Sequence, residues 1–409
     1  MSSYSVAYSI IKKLYEEGYI AYFAGGWVRD FLMDHPPDDI DIATDAPVED
    51  IQRIFPKTIP VGVAFGIVII VQEGHQYEIA TFRSDQGYKD GRRPIGIERT
   101  TPENDAQRRD FTINGMFYDP IHKKLYDFVE GQKDLQKGVI RAIGNPHKRF
   151  LEDRLRMIRA VRYASRFNFS IEQETLEALL DHAEDLFPAV AIERVWNELT
   201  KMGAFPHFDS SLLSLHRLNL LTVIFPALQD ISIEQIQQRV QYIPSFPDDA
   251  PMIAKILELF PNSTLEEKKK LCLYLKLSNH DHQFILFYHK ATHMFSKQKH
   301  SSLFDWAHLY AHSFYAICLK ICAIHLPIEE RQTFLQEHHM RISELRGPIQ
   351  KIQKKIPFLS SEDLRQAGIP NGRQMGLLLK EGERLAINAS LQTPEAIIKR
   401  LKNTPLWTI

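Results

Sequence analysis

The spacing of apolar positions changes character once along the chain, near residue 144. Before that point helical and strand periods alternate. Apolar residues recur at helical intervals over 4–17, 26–33 and 48–55, and strand-like runs occupy 19–24 and 40–44. The longest nearly unbroken apolar run, Ile59 to Val71, is rich in β-branched residues and too short to cross a bilayer as a helix, so it reads as buried strand. A hairpin is expected from strands at 63–72 and 77–82, separated by the turn-like Glu73-Gly74-His75-Gln76. From Arg83 to Asp105 the chain is polar and rich in Gly, Pro and Arg without a period, which predicts a long loop of the kind kept for function. Beyond residue 144 the pattern is helical almost throughout: 150–167, 173–183, 191–202, and onward to residue 401. The fold class this implies is α+β, a small mixed-sheet unit followed by helices.

Composition narrows the function classes. A chain of 409 residues has room for about two or three domains. Its net charge of −1 lacks the global basicity common in nucleic-acid binders. Local charge matters more. Between Lys148 and Arg166 stand Lys148, Arg149, Arg154, Arg156, Arg159, Arg162 and Arg166 against only Glu152 and Asp153. Such a stripe repels itself unless something negative sits among the cations, and a nucleotide would serve. Smaller lysine clusters lie at Lys268 to Lys270 and at Lys351, Lys354 and Lys355. The three cysteines, in apolar settings, suit packed core and a reducing cytoplasm rather than a disulfide framework. No membrane span and no targeting segment are expected.

Four constellations carry chemistry. Gly25-Gly26 before a helix leaves backbone N–H groups open to phosphate oxygens. Asp39 and Asp41, two apart at a strand, face one side and suit Mg²⁺, which takes few protein carboxylates plus phosphate oxygens and water. Arg108-Arg109-Asp110-Phe111-Thr112-Ile113-Asn114 concentrates guanidiniums that can fork onto a triphosphate. On the expected helix over 150–167, Asp153 and Arg156 share a face with Arg159 and Arg162. Cytosine and adenine both offer an exocyclic amino donor beside a ring-nitrogen acceptor, whereas guanine and uracil show the opposite order. A carboxylate with a guanidinium therefore selects C and A against G and U.

In order and spacing these motifs, with Glu193-Arg194-Val195-Trp196-Asn197-Glu198-Leu199, resemble the class II tRNA nucleotidyltransferase and bacterial poly(A) polymerase superfamily. The resemblance implies a nucleotidyltransferase head (1–143), a neck that reads the base (144–204), a helical body (205–330) and a tRNA-binding tail (331–409). It implies Asp39 and Asp41 as metal carboxylates, with Glu78 a third catalytic acid. It places Gly25, Gly26, Arg29 and Arg109 at the triphosphate, Asp110 and Asn114 at the ribose, and Asp153 with Arg156 at the base edge, aided by Arg159 and Arg162. The substrates would be CTP, ATP and the tRNA acceptor end, with Mg²⁺ as cofactor. No protein partner is inferred.

The segment Val61-Gly62-Val63-Ala64-Phe65-Gly66-Ile67 has the form seen in CCA-adding enzymes, where enterobacterial-type poly(A) polymerases carry a basic Gly-Arg-Arg-Phe-like signature. The loop from Arg83 to Pro94, which CC-only enzymes tend to lack, is kept. Full CCA addition is thus the favoured activity, with A-only addition or poly(A) synthesis as alternatives within the superfamily, and an RNA-binding protein with an inactive head as the alternative outside it. The His280-Asp281 pair lacks the surrounding ligands of a metal-dependent phosphohydrolase. Gly115 stands where the family more often has Ala, a change expected to loosen a helix slightly.

Overall fold

Helix α1 (Ser3–Glu16) starts on Ser2, whose hydroxyl accepts the Ser5 N–H at 3.3 Å, and buries Val6, Ala7, Ile10, Ile11 and Leu14. That stripe packs in one core with Phe23 of β1 (Ala21–Ala24), Ile42 of β2 (Asp41–Thr44), and Val68, Ile70 and Ile79 of the strands beyond. Between β1 and β2 lies α2 (Gly26–Leu32), and after β2 comes α3 (Val48–Ile54). The sheet continues with β3 (Thr58–Gly62), β4 (Ile67–Gln72) and β5 (His75–Thr81). The computed structural model describes residues 2–35, 39–88, 94–296 and 301–407.

A separate antiparallel pair, β6 (Arg83–Tyr88) and β7 (Pro94–Arg99), is followed by α4 (Pro102–Gln107). Then β8 (Phe117–Asp119) and β9 (Lys124–Tyr126) complete a seven-stranded sheet in the order β3-β4-β5-β2-β1-β8-β9. Every pairing in it is antiparallel except β2 with β5, which run parallel with Ile42 opposite Ile79. The sheet is mixed, as the pattern implied.

Three local expectations need correcting. The apolar run from Ile59 to Val71 is two strands, not one, because a 3-10 turn at Val63–Phe65 folds it back; Ile59 and Val61 are exposed on the edge strand. The segment from Arg83 to Asp105 is not an irregular loop but the β6–β7 hairpin and a capped helix; residues 89–93 lie outside the described residues. The Thr101 side chain accepts the Asn104 N–H, and Pro102 opens the helix. Gly115 closes a 3-10 turn (Thr112–Asn114) rather than sitting in a helix. A Cβ there would lie 2.6 Å from Val129 Cγ2 and 3.0 Å from Ile143 Cδ1, so an alanine would need those side chains to shift.

After α5 (Gly131–Lys137) and β10 (Val139–Ile140) come α6 (Pro146–Glu152) and α7 (Leu155–Phe167). The expected single helix over 150–167 is broken at Asp153, whose backbone is extended at φ −149° and whose carboxylate accepts the Leu155 N–H at 3.1 Å. Strand β11 (Ser170–Ile171), α8 (Gln173–His182), α9 (Leu186–Ala189), α10 (Ile192–Gly203) and α11 (Phe208–Arg217) follow.

The chain forms two compact units, 1–238 and 239–409, a coarser division than four segments. The expected head and neck both lie in the first, and the expected body spans the boundary. The second unit is helical, and the capping boxes Thr264/Glu267, Ser302/Asp305 and Ser360/Asp363 start three of its helices, each cap contributing about 1 kcal/mol. Cys272 and Cys318 are buried and Cys322 half-buried, all with free thiols. Asp281 accepts the Ser278 hydroxyl, and His280 packs edge-on against Phe314. Among the described residues no single helix is long and apolar enough to cross a membrane.

Candidate active site

Register brings the acids together. Asp41 opens β2 opposite Ala24 of β1, and the parallel pairing of Ile42 with Ile79 sets Asp41 beside Glu78 of β5. Asp39 lies just before, with buried Ile40 between, so the two aspartates flank an apolar anchor. Asp41 is exposed at the start of β2, yet surrounding protein crowds water from its carboxylate. That crowding, then the carboxylates of Glu78 and Asp39, pushes its pKa up to about 6 against the pull of Arg109. Glu78 is raised as well, by crowding and then by Asp39, with Arg83 opposing. Glu78, expected only from resemblance, thus stands beside both aspartates.

Gly25 faces this corner. Its φ of 63° is one L side chains rarely adopt, and a Cβ there would sit 3.1 Å from Arg109 Nη1. Arg109 is held by Asp105, with its Nη2 3.0 Å from Oδ2, and lies over the Phe117 ring at 4.8 Å. Asp105, only 1% exposed, also takes two bonds from Arg108 and the backbone N–H of Arg83. It thereby ties the hairpin base to the arginine pair. Asp105 did not stand out in the sequence: its arginine partners are one helical turn away, but its bond to the Arg83 N–H spans the whole hairpin.

Other expected ligand residues are already engaged. Arg29, 3% exposed, donates to Asp30 at 2.7 Å and to Asn114 Oδ1 at 2.5 Å, and lies over Tyr163 and Phe167. It is a strut behind Gly26 rather than a guanidinium open to a triphosphate. Asn114 passes the chain on, donating to Asp110 at 3.1 Å. Asp110 accepts from Arg159 at 2.8 and 2.5 Å; despite burial, that guanidinium, then Asn114 and Arg156, holds its carboxyl well below the usual carboxylate range. Arg159 in turn lies 3.9 Å from Glu198, which binds Arg162 at 2.5 Å.

Five of the arginines in the stripe find negative partners inside the protein. Arg149 and Arg156 pair with Glu152, Arg159 with Asp110, Arg162 with Glu198, and Arg166 with Asp30. The expectation that a nucleotide must neutralise these cations is corrected by those buried acids. Asp153 and Arg156 are not paired with each other. Asp153 accepts from Arg194 Nη2 at 2.7 Å; Arg156 donates to Glu152, to the Arg149 carbonyl and to the Arg108 carbonyl. Because the helix breaks at Asp153, the two do not share a face by helical spacing. Glu198 and Arg194 stood within a quoted motif without an assigned role.

Among the described residues no group of three or more His, Cys, Asp or Glu side chains could hold an ion by itself. Mg²⁺ needs only one or two protein carboxylates when phosphates and water complete its shell, and the clustered carboxylates of Asp39, Asp41 and Glu78 are hard oxygen donors. The residues fit.

Comparison with known proteins gives the lineage. Residues 21–141 match the poly A polymerase head domain, and 168–231 match the probable RNA- and SrmB-binding site of polymerase A. These two matches lie in the first of the two compact units. The chain is similar to the CCA-adding enzyme of Staphylococcus saprophyticus, 44% identical over 203 residues, or 49% of this chain and 50% of that protein. It is also similar to the CCA-adding enzyme of Bacillus cytotoxicus, 40% identical over 243 residues, or 59% and 60%. The matches thus span about half the length of most of these curated relatives. Over the whole length, the fold is similar to that of the Bacillus stearothermophilus CCA-adding enzyme solved with CTP, with TM-score 0.80, 25% identity and 98% of each chain covered. The acid corner and the Gly25 turn lie within the region matched by the poly A polymerase head domain, and the Asp153–Arg156 segment lies between the two matched regions.

Proposed function

We propose that the protein adds C, C and A to the 3′ end of tRNA, taking CTP and ATP in turn without a nucleic-acid template. The observation that carries this reading is the register that gathers Asp39, Asp41 and Glu78 opposite the Gly25 turn and Arg109, within the same unit as Asp153 and Arg156. The full-length likeness to a CCA-adding enzyme supports the choice of product.

Asp39 and Asp41 would hold Mg²⁺, with Glu78 beside them; when bound, the ion's chemistry is to lower the pKa of the RNA 3′-hydroxyl and neutralise the departing pyrophosphate. Arg109, fixed by Asp105, supplies a positioned cation at the Gly25 turn for the triphosphate. Arg29, Asp110, Asn114 and Arg159 form the buried frame that sets this turn and the arginine helix, so their contribution is pre-organisation. Asp153 accepts from the base's amino group and Arg156 donates to its ring nitrogen. The activity carries a cytoplasmic setting with it, in keeping with three free thiols.

The test is product length after incubating the protein with a tRNA that lacks its 3′ CCA, Mg²⁺, and each nucleotide singly or together. Growth by three nucleotides with CTP and ATP is expected. Arrest after CC, or A added only to ends already carrying CC, gives the product to a CC- or A-adding enzyme. Long A tails on unrelated RNA point to a poly(A) polymerase, and no growth at all to an RNA-binding protein with an inert head.

A further inference from the structure

The two halves of the base-reading pair are anchored separately. Arg156 is anchored by Glu152 of α6 at 2.8 Å, by the Arg149 carbonyl nearby and by the Arg108 carbonyl from the first arginine pair. Asp153 sits in the break between α6 and α7, where its backbone closes the last turn of α6 on the Arg149 carbonyl and its side chain is held separately. Its Oδ1 accepts the Leu155 N–H, and its Oδ2 is held by Arg194 Nη2 at 2.7 Å from α10. Arg194 leaves its Nη1 buried without an acceptor among the described residues. A guanidinium clamped to one carboxylate, with a spare buried donor, costs more than an ordinary surface ion pair would justify.

We infer that Arg194 is a specificity-positioning residue, one that aims the Asp153 carboxylate so that its remaining lone pairs meet the amino group of cytosine or adenine. This rests on the proposed function, and specifically on Asp153 reading the base. A carboxylate has about four acceptor directions, and two here are taken by the Leu155 N–H and Arg194. The others are fixed in space only while Arg194 stays in place. Without it the carboxylate can rotate about its side chain and accept from the ring N–H of uracil or guanine as readily as from an amino group. The partner of Arg156 does not substitute, because Glu152 fixes the donor half of the pair and not the acceptor half. Arg194 therefore acts through Asp153 and need not touch the nucleotide.

The test compares Arg194→Met, which keeps the stem and removes the charge, with Arg194→Lys and Asp153→Ala in the full chain. Readouts are single-turnover addition of CTP against UTP to tRNA lacking CCA, with kcat and KM separated, and the melting temperature. Arg194→Met is expected to lower the CTP-over-UTP ratio by roughly tenfold, mostly through KM for CTP, and Arg194→Lys to recover most of it. Combined with Asp153→Ala, Arg194→Met should cost no further selectivity. A wild-type ratio in Arg194→Met, with a lowered melting temperature and equal loss for all nucleotides, overturns the inference and makes the pair a structural tie. Should Met fail to fold, Arg194→Gln keeps a neutral donor and is expected to lose about threefold; an unchanged ratio there overturns it equally. If Asp153→Ala itself keeps the wild-type ratio, the base-reading proposal fails; if only Arg194→Met keeps it, the positioning role alone fails.

Discussion

The acid corner and the arginine helix differ in how their charges are settled. At the corner Asp41 and Glu78 are both raised, first because protein crowds water away from them and then because neighbouring carboxylates repel them, with Arg109 and Arg83 in opposition. Along α7, Arg159, Arg162 and Arg166 each have a carboxylate partner from outside the helix, and Asp110 is held ionised. One region carries uncompensated negative charge that the folded chain tolerates at a cost. In the other, the arginines Arg159, Arg162 and Arg166 are already paired with protein carboxylates before any substrate arrives. A site that must receive a cation and phosphates gains from the first state, and one that must read a neutral base by hydrogen bonds gains from the second, since rigidity there costs nothing on binding.

The sharpest way to break this contrast is at Asp41. Asp41→Ala should reduce nucleotide addition on the order of a thousandfold or more, read by single-turnover extension of tRNA. The same variant should melt at or above the wild-type temperature, because a destabilising like charge is removed. A clear fall in melting temperature would show that the acid is structural.

The opposite result is expected in the arginine network. Arg159→Met strands the buried Asp110 carboxylate and should cost about 3–5 kcal/mol of stability in denaturant titration. The pH dependence follows from the sign of the shift. Asp110 has its pKa lowered on folding, so its stabilisation is present above the unfolded carboxylate value of about 4 and is lost as pH falls. Wild-type protein should lose this increment on acidification and the Arg159→Met variant should not. Equal acid sensitivity in both would remove Asp110 from the account.

Smaller effects sharpen the boundary between the regions. The β6–β7 hairpin is tied at its base to Asp105, the residue that also holds Arg109. Replacing residues 84–98 with a short Gly-Ser linker should spare CC addition and slow the final A by about tenfold, if the hairpin helps the pocket change nucleotide. Equal loss of both steps would make it a general support. Gly115→Ala should destabilise by about 1–3 kcal/mol in thermal melts, since its Cβ would meet Val129 at 2.6 Å.

Much of the head was legible in the sequence, because period-two and helical patterns over α1, β1, β2 and α3 are local signals. The acid corner was legible too, since Asp39 and Asp41 sit two apart, although Glu78 needed a parallel strand register that no local pattern states. The arginine helix misled. Its partners Asp30, Asp110 and Glu198 lie 136, 49 and 36 residues away from Arg166, Arg159 and Arg162, so the stripe looked unbalanced when it was not. Asp153 misled in the same way: read by spacing it faced Arg156, but an Asp able to accept the N–H of a new helix breaks the old one.

The central claim is that chemistry and base choice reside in these two different regions, and the direct measurement is the four-nucleotide addition profile of Asp153→Ala and Arg156→Ala beside that of Asp41→Ala. The account predicts that Asp41→Ala lowers every nucleotide together, whereas the other two lower CTP and ATP and narrow their lead over UTP and GTP by about 1–3 kcal/mol each. A uniform loss for all four nucleotides in Asp153→Ala and Arg156→Ala, with selectivity intact, would contradict it.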